Sequence, residues 1–205
     1  MDMKLGMIDY GRGNLRSVIN ACKALGHDPT LIANPEELGQ FTHLIFPGQG
    51  AFGDCMDSLN RLGLAKPLQE WIAAGKPYFG ICVGFQLLFE ASEEAPGVAG
   101  LGVAAGTVKK FTSKDIKIPH MGWNATLHSK ENSPYWAGFD PAPYFYFVHS
   151  YYPDGVDAKI VSATCDYGNE TFCAAIEQGN LFATQFHPEK SQHAGLQLLE
   201  NFFNA

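Results

Sequence analysis

A cysteine between two glycines is the strongest chemical signal in the sequence. The segment Gly80-Ile81-Cys82-Val83-Gly84 has the Gly-x-nucleophile-x-Gly form, and it joins a predicted strand to a predicted helix. Glycines permit the tight turn that exposes such a nucleophile, and the N-terminus of the following helix favours the thiolate. A buried core cysteine flanked by turn glycines is the alternative. The spacing and the strand-to-helix context favour Cys82 as a nucleophile.

A nucleophilic thiolate needs a proton-transfer partner, and one of the seven histidines suits that role. His187 follows the predicted strand Leu181 to Thr184, at the kind of strand end where α/β sheets bind ligands. Pro188 prevents the strand from continuing, and Glu189 can accept the Nδ1–H bond that fixes the imidazole tautomer. Alone, His-Pro-Glu also fits a turn with a solvated carboxylate. Paired with Cys82, it indicates a catalytic histidine held by a third group.

Two further glycine-rich turns follow predicted strands. In Phe46-Pro47-Gly48-Gln49-Gly50, backbone N–H groups can supply one half of an oxyanion hole, and the amide of Val83 can supply the other. An ordinary tight turn is the alternative. The turn Gly11-Arg12-Gly13 is a weak dinucleotide-binding signal, because position 16 is arginine where the motif needs a third glycine. The sequence contains no HExxH or CxxC motif, so we expect no metal site.

Alternating strand and helix patterns position these segments. Predicted strands cover Lys4 to Asp9, Asp28 to Ala33, His43 to Phe46, Pro77 to Ile81, Tyr144 to Val148, Ile160 to Thr164, Phe172 to Ile176 and Leu181 to Thr184. Predicted helices cover Leu15 to Leu25, Leu64 to Ala74, Val83 to Phe89 and Gln192 to Phe203. This order predicts an α/β fold with an open, mostly parallel sheet. We expect the second half to add mixed or antiparallel strands to the same sheet.

Composition limits the classes of protein and partner. The 205 residues suit one domain spanning residues 1–205, and 46% hydrophobic with 17% charged residues excludes disordered, collagen-like and coiled-coil chains. A net charge of -7 argues against nucleic acid or an anionic membrane as the main partner. Five scattered cysteines, no evident signal peptide and no apolar run of membrane-spanning length indicate a soluble cytoplasmic protein with reduced thiols.

The segments around Gly48, Cys82 and His187, in this chain order, resemble those of the class I, triad-type glutamine amidotransferases. Within that family, four further segments are similar to the glutaminase subunits of imidazole glycerol phosphate synthase. They are Ile8 to Val18, Pro119 to Asn124, Tyr146 to Tyr151 and His187 to Ser191. The first two are the more specific evidence for this subunit over the glutaminase components of anthranilate, GMP or pyridoxal phosphate synthesis.

The resemblance implies a flavodoxin-like sheet with helices on both faces, and a thioester mechanism that releases ammonia from glutamine without a cofactor. It makes Cys82 the nucleophile, His187 the general base and acid, and Glu189 the residue that orients His187. It assigns the oxyanion contacts to the amides of Gln49 and Val83. The family often has Pro-Gly-Val-Gly at this turn; because a backbone N–H acts there, Gln49 affects only turn stability or gating. The implied glutamine-binding residues are Gly48, Gly50, Gln86, His149, Ser150 and Tyr151.

The resemblance also implies a heterodimer with a (βα)8-barrel cyclase subunit in histidine biosynthesis. That subunit uses the ammonia to form imidazole glycerol phosphate and an aminoimidazole carboxamide ribotide. A sealed route is needed, because bulk water near pH 7 protonates most ammonia. The interface candidates are Asn14, Arg16, Trp123 and Lys190. Helix capping by Asn14 and solvated charges at Arg16 and Lys190 are the alternatives.

Two other functions stay open at this point. A stand-alone cysteine hydrolase of γ-glutamyl substrates has the same triad but turns over rapidly without a partner. A non-catalytic binding subunit usually loses a triad residue, whereas Cys82, His187 and Glu189 are all present.

Overall fold

The secondary structure begins with parallel strands joined by helices and ends with antiparallel strands. The computed structural model of the chain describes residues 3–11 and 13–205, so Arg12 of the first glycine-rich turn lies outside the described residues. The strands are β1 Leu5–Ile8, β2 Thr30–Ile32, β3 His43–Gly48, β4 Tyr78–Cys82, β5 Ala91–Ser92, β6 Thr107–Lys110, β7 His120–Ala125, β8 Leu127–His128, β9 Tyr144–His149, β10 Tyr151–Asp154, β11 Val161–Tyr167, β12 Glu170–Gln178 and β13 Leu181–Thr184. The α-helices are α1 Leu15–Ala24, α2 Phe52–Arg61, α3 Ala65–Ala73, α4 Val83–Gln86 and α5 Gln192–Asn204.

One large sheet organises the fold. Within the described residues it has eight strands in the order β2-β1-β3-β4-β13-β12-β11-β8. The first five are parallel, and the last three run antiparallel to their neighbours. The parallel strands β1, β4 and β13 are buried along their whole length, as expected for strands covered on both faces. The predicted α/β sheet, mostly parallel with antiparallel additions, is confirmed.

Helices cover both faces of this sheet. The strand order reverses between β2 and β3, and right-handed crossovers therefore place α1 on one face and the α2–α3 pair on the other. Helix α5 shares the face of α1, because the ring of Phe203 lies 4.5 Å from that of His27, just after α1. The carboxyl ends of the parallel strands consequently meet at one edge, where open α/β sheets bind ligands.

Two predicted features differ from the structure, and helix α2 was not predicted. The strand around Tyr144 to Val148 does not join the main sheet; β9 pairs with β7 as a separate antiparallel ribbon. The helix predicted to reach Phe89 ends at Gln86, because the carbonyls of Leu87 and Leu88 accept hydrogen bonds from the segment 101–104 instead. Helix α2 is absent from the sequence prediction altogether. Its buried side chains follow helical spacing and could have revealed it: Phe52, Cys55, Met56 and Leu59.

Candidate active site

The ends of three parallel strands bring the predicted catalytic residues close together. Cys82 is the last residue of β4 and lies in register with Gly48, the last residue of β3. On the other side of β4, β13 ends at Thr184 in register with Ile81, and His187 follows three residues later. The cysteine, the glycine-rich turn and the histidine therefore meet because adjacent parallel strands end together.

The backbone at Cys82 is strained, and glycines make room for it. Cys82 has a φ of +54°, a conformation that residues other than glycine seldom adopt. A Cβ on Gly84 would overlap the carbonyl oxygen of Phe46, and one on Gly80 would lie 2.7 Å from the Gly84 oxygen. A Cβ on Gly48 would lie 2.7 Å from the Gly84 nitrogen. The glycines are therefore required by close approach of β3, β4 and α4.

His187 and Glu189 form a buried pair. Nδ1 of His187 donates a hydrogen bond to Oε1 of Glu189 at 2.8 Å, and both side chains are only 2% exposed. The backbone of His187 is fixed on two sides: its N–H donates to the Tyr146 carbonyl, and its carbonyl accepts from the Ser191 hydroxyl at 2.7 Å. With Nδ1 engaged, Nε2 is left to face the reaction; it has no hydrogen-bond partner among the described residues.

The charge balance around His187 favours its protonated form. Burial by itself lowers the pKa of His187, but Cys82 and Glu189 beside it outweigh burial and raise that pKa to about 10. An imidazolium next to a thiolate is the expected arrangement for a cysteine nucleophile activated by histidine. The pair can therefore attack a carbonyl carbon and protonate a leaving group.

A pocket of about 430 Å³ opens over the sulfur. Five of the six predicted glutamine-binding residues line it together with Cys82 and His187; they are Gly50, Gln86, His149, Ser150 and Tyr151. Gly48 lies instead behind the turn, in a much smaller cavity next to Glu189. Lys190, predicted at an interface, also lines the main pocket. The volume suits a substrate of amino-acid size.

His149 is a neutral, fixed wall of this pocket. Its Nδ1 donates to the Tyr151 carbonyl at 2.8 Å, so its Nε2 accepts from Nδ1 of His120 at 3.1 Å. Burial lowers the pKa of His149 to about 3 and that of His120 to about 4. Both rings therefore remain uncharged at neutral pH.

The two predicted oxyanion donors differ in placement. Val83, directly after Cys82, begins α4 and lines the pocket. The N–H of Gln49 is directed elsewhere: it donates to the hydroxyl of Tyr10 at 3.3 Å. Tyr10 is 1% exposed and its ring packs edge-on against Phe46. In this arrangement the Gln49 amide is not offered to an oxyanion, and the peptide has to turn before it can serve as one.

Sequence reasoning missed several residues of the site. Gln185 lies between β13 and His187, and its side-chain nitrogen is 3.7 Å from the Cys82 sulfur. Glu94 lines the pocket and accepts a hydrogen bond from the Phe52 N–H at 2.8 Å. Gln185 adjoins a predicted strand end, which was a usable signal. Glu94 follows the short strand β5 in a turn-rich region, and nothing in its local pattern pointed to the site.

Of the predicted interface residues, Trp123 is a large apolar side chain exposed on the surface. It is 45% exposed on β7, and its ring lies 6.2 Å from that of Tyr146 on β9. Lys190 completes this group, with Nζ 5.8 Å from the Tyr146 ring. Asn14 and Arg16 are exposed at the start of α1, and the side chain of Asn14 donates to the Ser17 hydroxyl at 2.9 Å.

Residues 3–11 and 13–205 contain no cluster of three or more His, Cys, Asp or Glu side chains able to hold a metal ion. None of the helices in this part of the chain is long and apolar enough to cross a membrane. All five cysteines lie within the described ranges, and all are buried.

Structural comparison finds the same fold in solved structures. A crystal structure of a glutamine amidotransferase superposes with a TM-score of 0.76 at 20% identity, covering 98% of this chain and 97% of the other. PurLQS from Thermotoga maritima superposes with a TM-score of 0.76 at 19% identity, covering 100% of this chain and 99% of that chain. At these identities the likeness concerns the fold alone.

Sequence comparison is more specific. Residues 6–205 match the family described as glutamine amidotransferase class-I. The chain is 45% identical over 200 residues to imidazole glycerol phosphate synthase subunit HisH of Rhodopirellula baltica, covering 97% of this chain and 96% of that protein. It is 46% identical over 204 residues to imidazole glycerol phosphate synthase hisHF of Schizosaccharomyces pombe, covering 98% of this chain but 38% of that longer protein. This chain therefore belongs to the class-I glutamine amidotransferase family and, within it, to the HisH subunits.

Proposed function

We propose that this chain is the glutaminase subunit of a cytoplasmic imidazole glycerol phosphate synthase, which supplies ammonia from glutamine to a cyclase subunit. One observation carries the chemistry: Cys82, on a strained turn, lines the same pocket as His187, whose other ring nitrogen is bound by Glu189 at 2.8 Å. The names of the relatives support the assembly and the pathway.

The first half of the reaction releases ammonia. The Cys82 thiolate attacks the side-chain amide carbon of glutamine, and a sulfur–carbon bond forms. The amide of Val83 and, after the turn has rearranged, that of Gln49 stabilise the oxyanion. His187 then gives its proton to the departing nitrogen, the carbon–nitrogen bond breaks, and a glutamyl thioester remains on Cys82.

The second half regenerates the enzyme. His187, now neutral, takes a proton from a water molecule as that water attacks the thioester carbon. The carbon–sulfur bond breaks, glutamate leaves, and the thiolate and imidazolium are restored. Glu189 keeps Nδ1 of His187 protonated throughout, so that only Nε2 exchanges protons with the reacting groups.

The walls of the pocket suit an α-amino acid. Glu94 and Lys190 place one negative and one positive side chain around the same space. These charges match the α-ammonium and α-carboxylate groups of glutamine. His149 and Gln86 add uncharged polar walls between them. The substrate side chain can then extend toward Cys82.

An exposed apolar face beside this pocket suits the docking of a cyclase. On β7, Met121 and Trp123 are 62% and 45% exposed, and on the paired strand β9, Tyr144 is 60% exposed. The same ribbon reaches the pocket through Val148. Neighbouring exposed aromatic side chains are typical of protein interfaces. A partner seated here would cover the pocket wall and keep ammonia from bulk water.

Replacing Trp123 with alanine is expected to weaken cyclase binding about 30-fold, since a buried tryptophan at the centre of an interface is commonly worth about 2 kcal/mol. The dissociation constant can be measured by titration calorimetry with the purified cyclase subunit. Leu31→Ala is the matched control, because Leu31 is also exposed, at 42%, but lies on the edge strand β2. Equal affinity of the Trp123 variant and the wild type, together with unchanged ammonia transfer, would remove Trp123 from the interface.

The hydrogen bond from Gln49 to Tyr10 offers a way to couple glutamine hydrolysis to the partner. While Tyr10 holds the Gln49 N–H, one oxyanion donor is missing. Gly48 and Gly50 flank Gln49, and Gly50 has a φ of +121°, so the turn has the backbone freedom for a peptide rearrangement. We propose that the cyclase with its bound nucleotide favours the rearranged turn, which prevents wasteful hydrolysis.

Tyr10→Phe is expected to raise glutamate release by the chain alone about 5-fold. The variant keeps the ring that packs on Phe46 and removes only the hydroxyl. The turn that contains Gln49 therefore loses the hydrogen bond that holds it in the observed conformation, which is worth about 1 kcal/mol. Initial rates without cyclase, compared between the variant and the wild type, test this directly. An unchanged partner-free rate would show that Tyr10 does not restrain the turn.

Reconstitution tests the proposed function. Glutamate release is measured for the chain alone, with a cyclase subunit, and with the cyclase and its nucleotide ligand. Strong stimulation that requires both partner and ligand supports an ammonia-supplying subunit. High activity alone that is indifferent to the cyclase would instead favour an independent cysteine hydrolase of γ-glutamyl substrates.

A further inference from the structure

Gln185 occupies a buried position next to the nucleophile. It follows β13 directly, is 0% exposed, and its backbone N–H donates to the Ala174 carbonyl at 2.8 Å. Its side chain turns toward β4, where Nε2 lies 3.7 Å from the sulfur of Cys82. No role in the reaction described above uses this side chain.

Neighbouring hydrogen bonds fix which end of the Gln185 amide faces the sulfur. Nε2 of Gln86 donates to the Tyr151 carbonyl at 2.9 Å and to Oε1 of Gln185 at 3.0 Å. Both acceptors are oxygens, so both hydrogens of the Gln86 amide are used. Oε1 of Gln185 therefore faces Gln86, and its NH₂ group is directed at the sulfur.

A donor at this place matters because the sulfur is largely removed from water: Cys82 is only 6% exposed. A hydrogen bond to an ionised group is stronger than one between neutral groups, and more so where water is excluded. An N–H aimed at the sulfur thus favours the thiolate specifically.

We infer that Gln185 is a further catalytic residue, whose side-chain N–H stabilises the Cys82 thiolate before attack and as the leaving group of the thioester. The role rests on the proposed function of Cys82 as nucleophile. A purely structural role, in which Gln185 only links Gln86 to β13, is the competing explanation.

Two substitutions separate these explanations. Gln185→Met keeps the approximate volume but removes the donor and the acceptor. Gln185→Glu keeps an oxygen that can accept from Gln86, yet replaces the donor with a negative charge beside the sulfur. A structural role predicts that the glutamate variant performs better than the methionine variant, whereas stabilisation of the thiolate predicts the reverse.

The readout is the rate of Cys82 alkylation by iodoacetamide as a function of pH, with the labelled cysteine identified by peptide mass. At pH 7 we expect about 10-fold slower labelling for Gln185→Met, and a further loss for Gln185→Glu, with both rates recovering at higher pH. The other titratable groups around the sulfur are unchanged in both variants; they are His187 with its partner Glu189, His149, Tyr151, Glu94, Lys190 and Tyr10. Gln69→Met, which removes an amide hydrogen bond to the Leu101 carbonyl far from the site, is the control.

The opposite pattern overturns the inference. If Cys82 of the Gln185→Glu variant is alkylated at the wild-type rate, or if both variants are alkylated equally slowly at every pH, Gln185 has only a structural role. If neither variant folds, the side-chain amide protons of Gln185 in the wild-type NMR spectrum should shift with pH in step with Cys82 labelling, and an invariant resonance overturns it. Alkylation of Cys82 requires no glutamine and therefore tests the role of Gln185 independently. Failure of the proposed function would instead appear as a wild-type protein that releases no glutamate in the presence of the cyclase.

Discussion

Alanine at position 82 is expected to lower glutamate release by a factor on the order of 10⁶, with or without the cyclase, because no other group can form the thioester. The remaining pocket still binds glutamine through its walls. The affinity for glutamine should therefore change far less than the turnover rate. Glutamate release under saturating glutamine, together with calorimetric binding of glutamine, measures both quantities.

The matched control is Cys165→Ala, which removes another fully buried thiol, from β11, outside the lining of the pocket. It should retain near wild-type turnover. Substantial glutaminase activity in the Cys82 variant, after removal of contaminating enzyme, would contradict the assignment of the nucleophile.

Glu189→Gln is expected to lower turnover on the order of 10⁴-fold while leaving the fold intact. The amide can present an NH₂ group to Nδ1 of His187 and so favour the wrong tautomer. The change also removes one of the negative groups that raise the pKa of His187. The pKa of His187 should therefore fall. The imidazolium is then lost at lower pH, and the alkaline limb of the pH–rate profile shifts to lower pH. Turnover measured as a function of pH tests both the loss of activity and the direction in which the alkaline limb shifts.

Glu177→Gln provides the comparison, because Glu177 also accepts a hydrogen bond, from the Ser162 hydroxyl at 3.0 Å, but lies on β12. It should leave the pH profile unchanged. A Glu189 variant with wild-type turnover and an unmoved alkaline limb would mean that Glu189 does not orient His187.

The sequence predicted the fold where local patterns and global topology agree. The inner parallel strands β1, β4 and β13 appear as short apolar runs because they are buried on both faces, and glycines such as Gly26 and Gly75 mark helix ends through their positive φ. The placement of β9 could not be predicted in this way. Its alternating pattern fits any half-buried strand, and only tertiary contacts decide whether it joins the main sheet or pairs with β7.

The residues of the proposed chemistry could be predicted from the sequence wherever they belong to a local motif. Cys82, His187 and Glu189 belong to segments whose glycines and proline set the turn geometry. In contrast, the roles proposed for Tyr10 and Gln185 depend on contacts between segments that are distant in sequence: Tyr10 is 39 residues from Gln49, and Gln185 is 103 residues from Cys82. No spacing rule links such pairs, so the structure was needed to find them.

The direction of the Gln49 amide illustrates the same limit. The sequence identified the glycine-flanked turn as an oxyanion donor, and that role stays a prediction. Which way the peptide points depends on whether a competing acceptor is nearby, and the Tyr10 hydroxyl is that acceptor. A backbone group can thus be correctly located from a motif while its partner is decided by tertiary packing.

Labelling with an electrophilic glutamine analogue, which carries a chloromethyl ketone in place of the side-chain amide, tests the central claim most directly. The chain contains five cysteines, all buried, and the proposed mechanism requires that only one of them attack a carbon held in the glutamine pocket. Peptide mapping should find one equivalent of label, on Cys82 alone, and excess glutamine should protect against it. Label on any other residue, or labelling of Cys82 that glutamine does not slow, would contradict Cys82 as the nucleophile of a glutaminase.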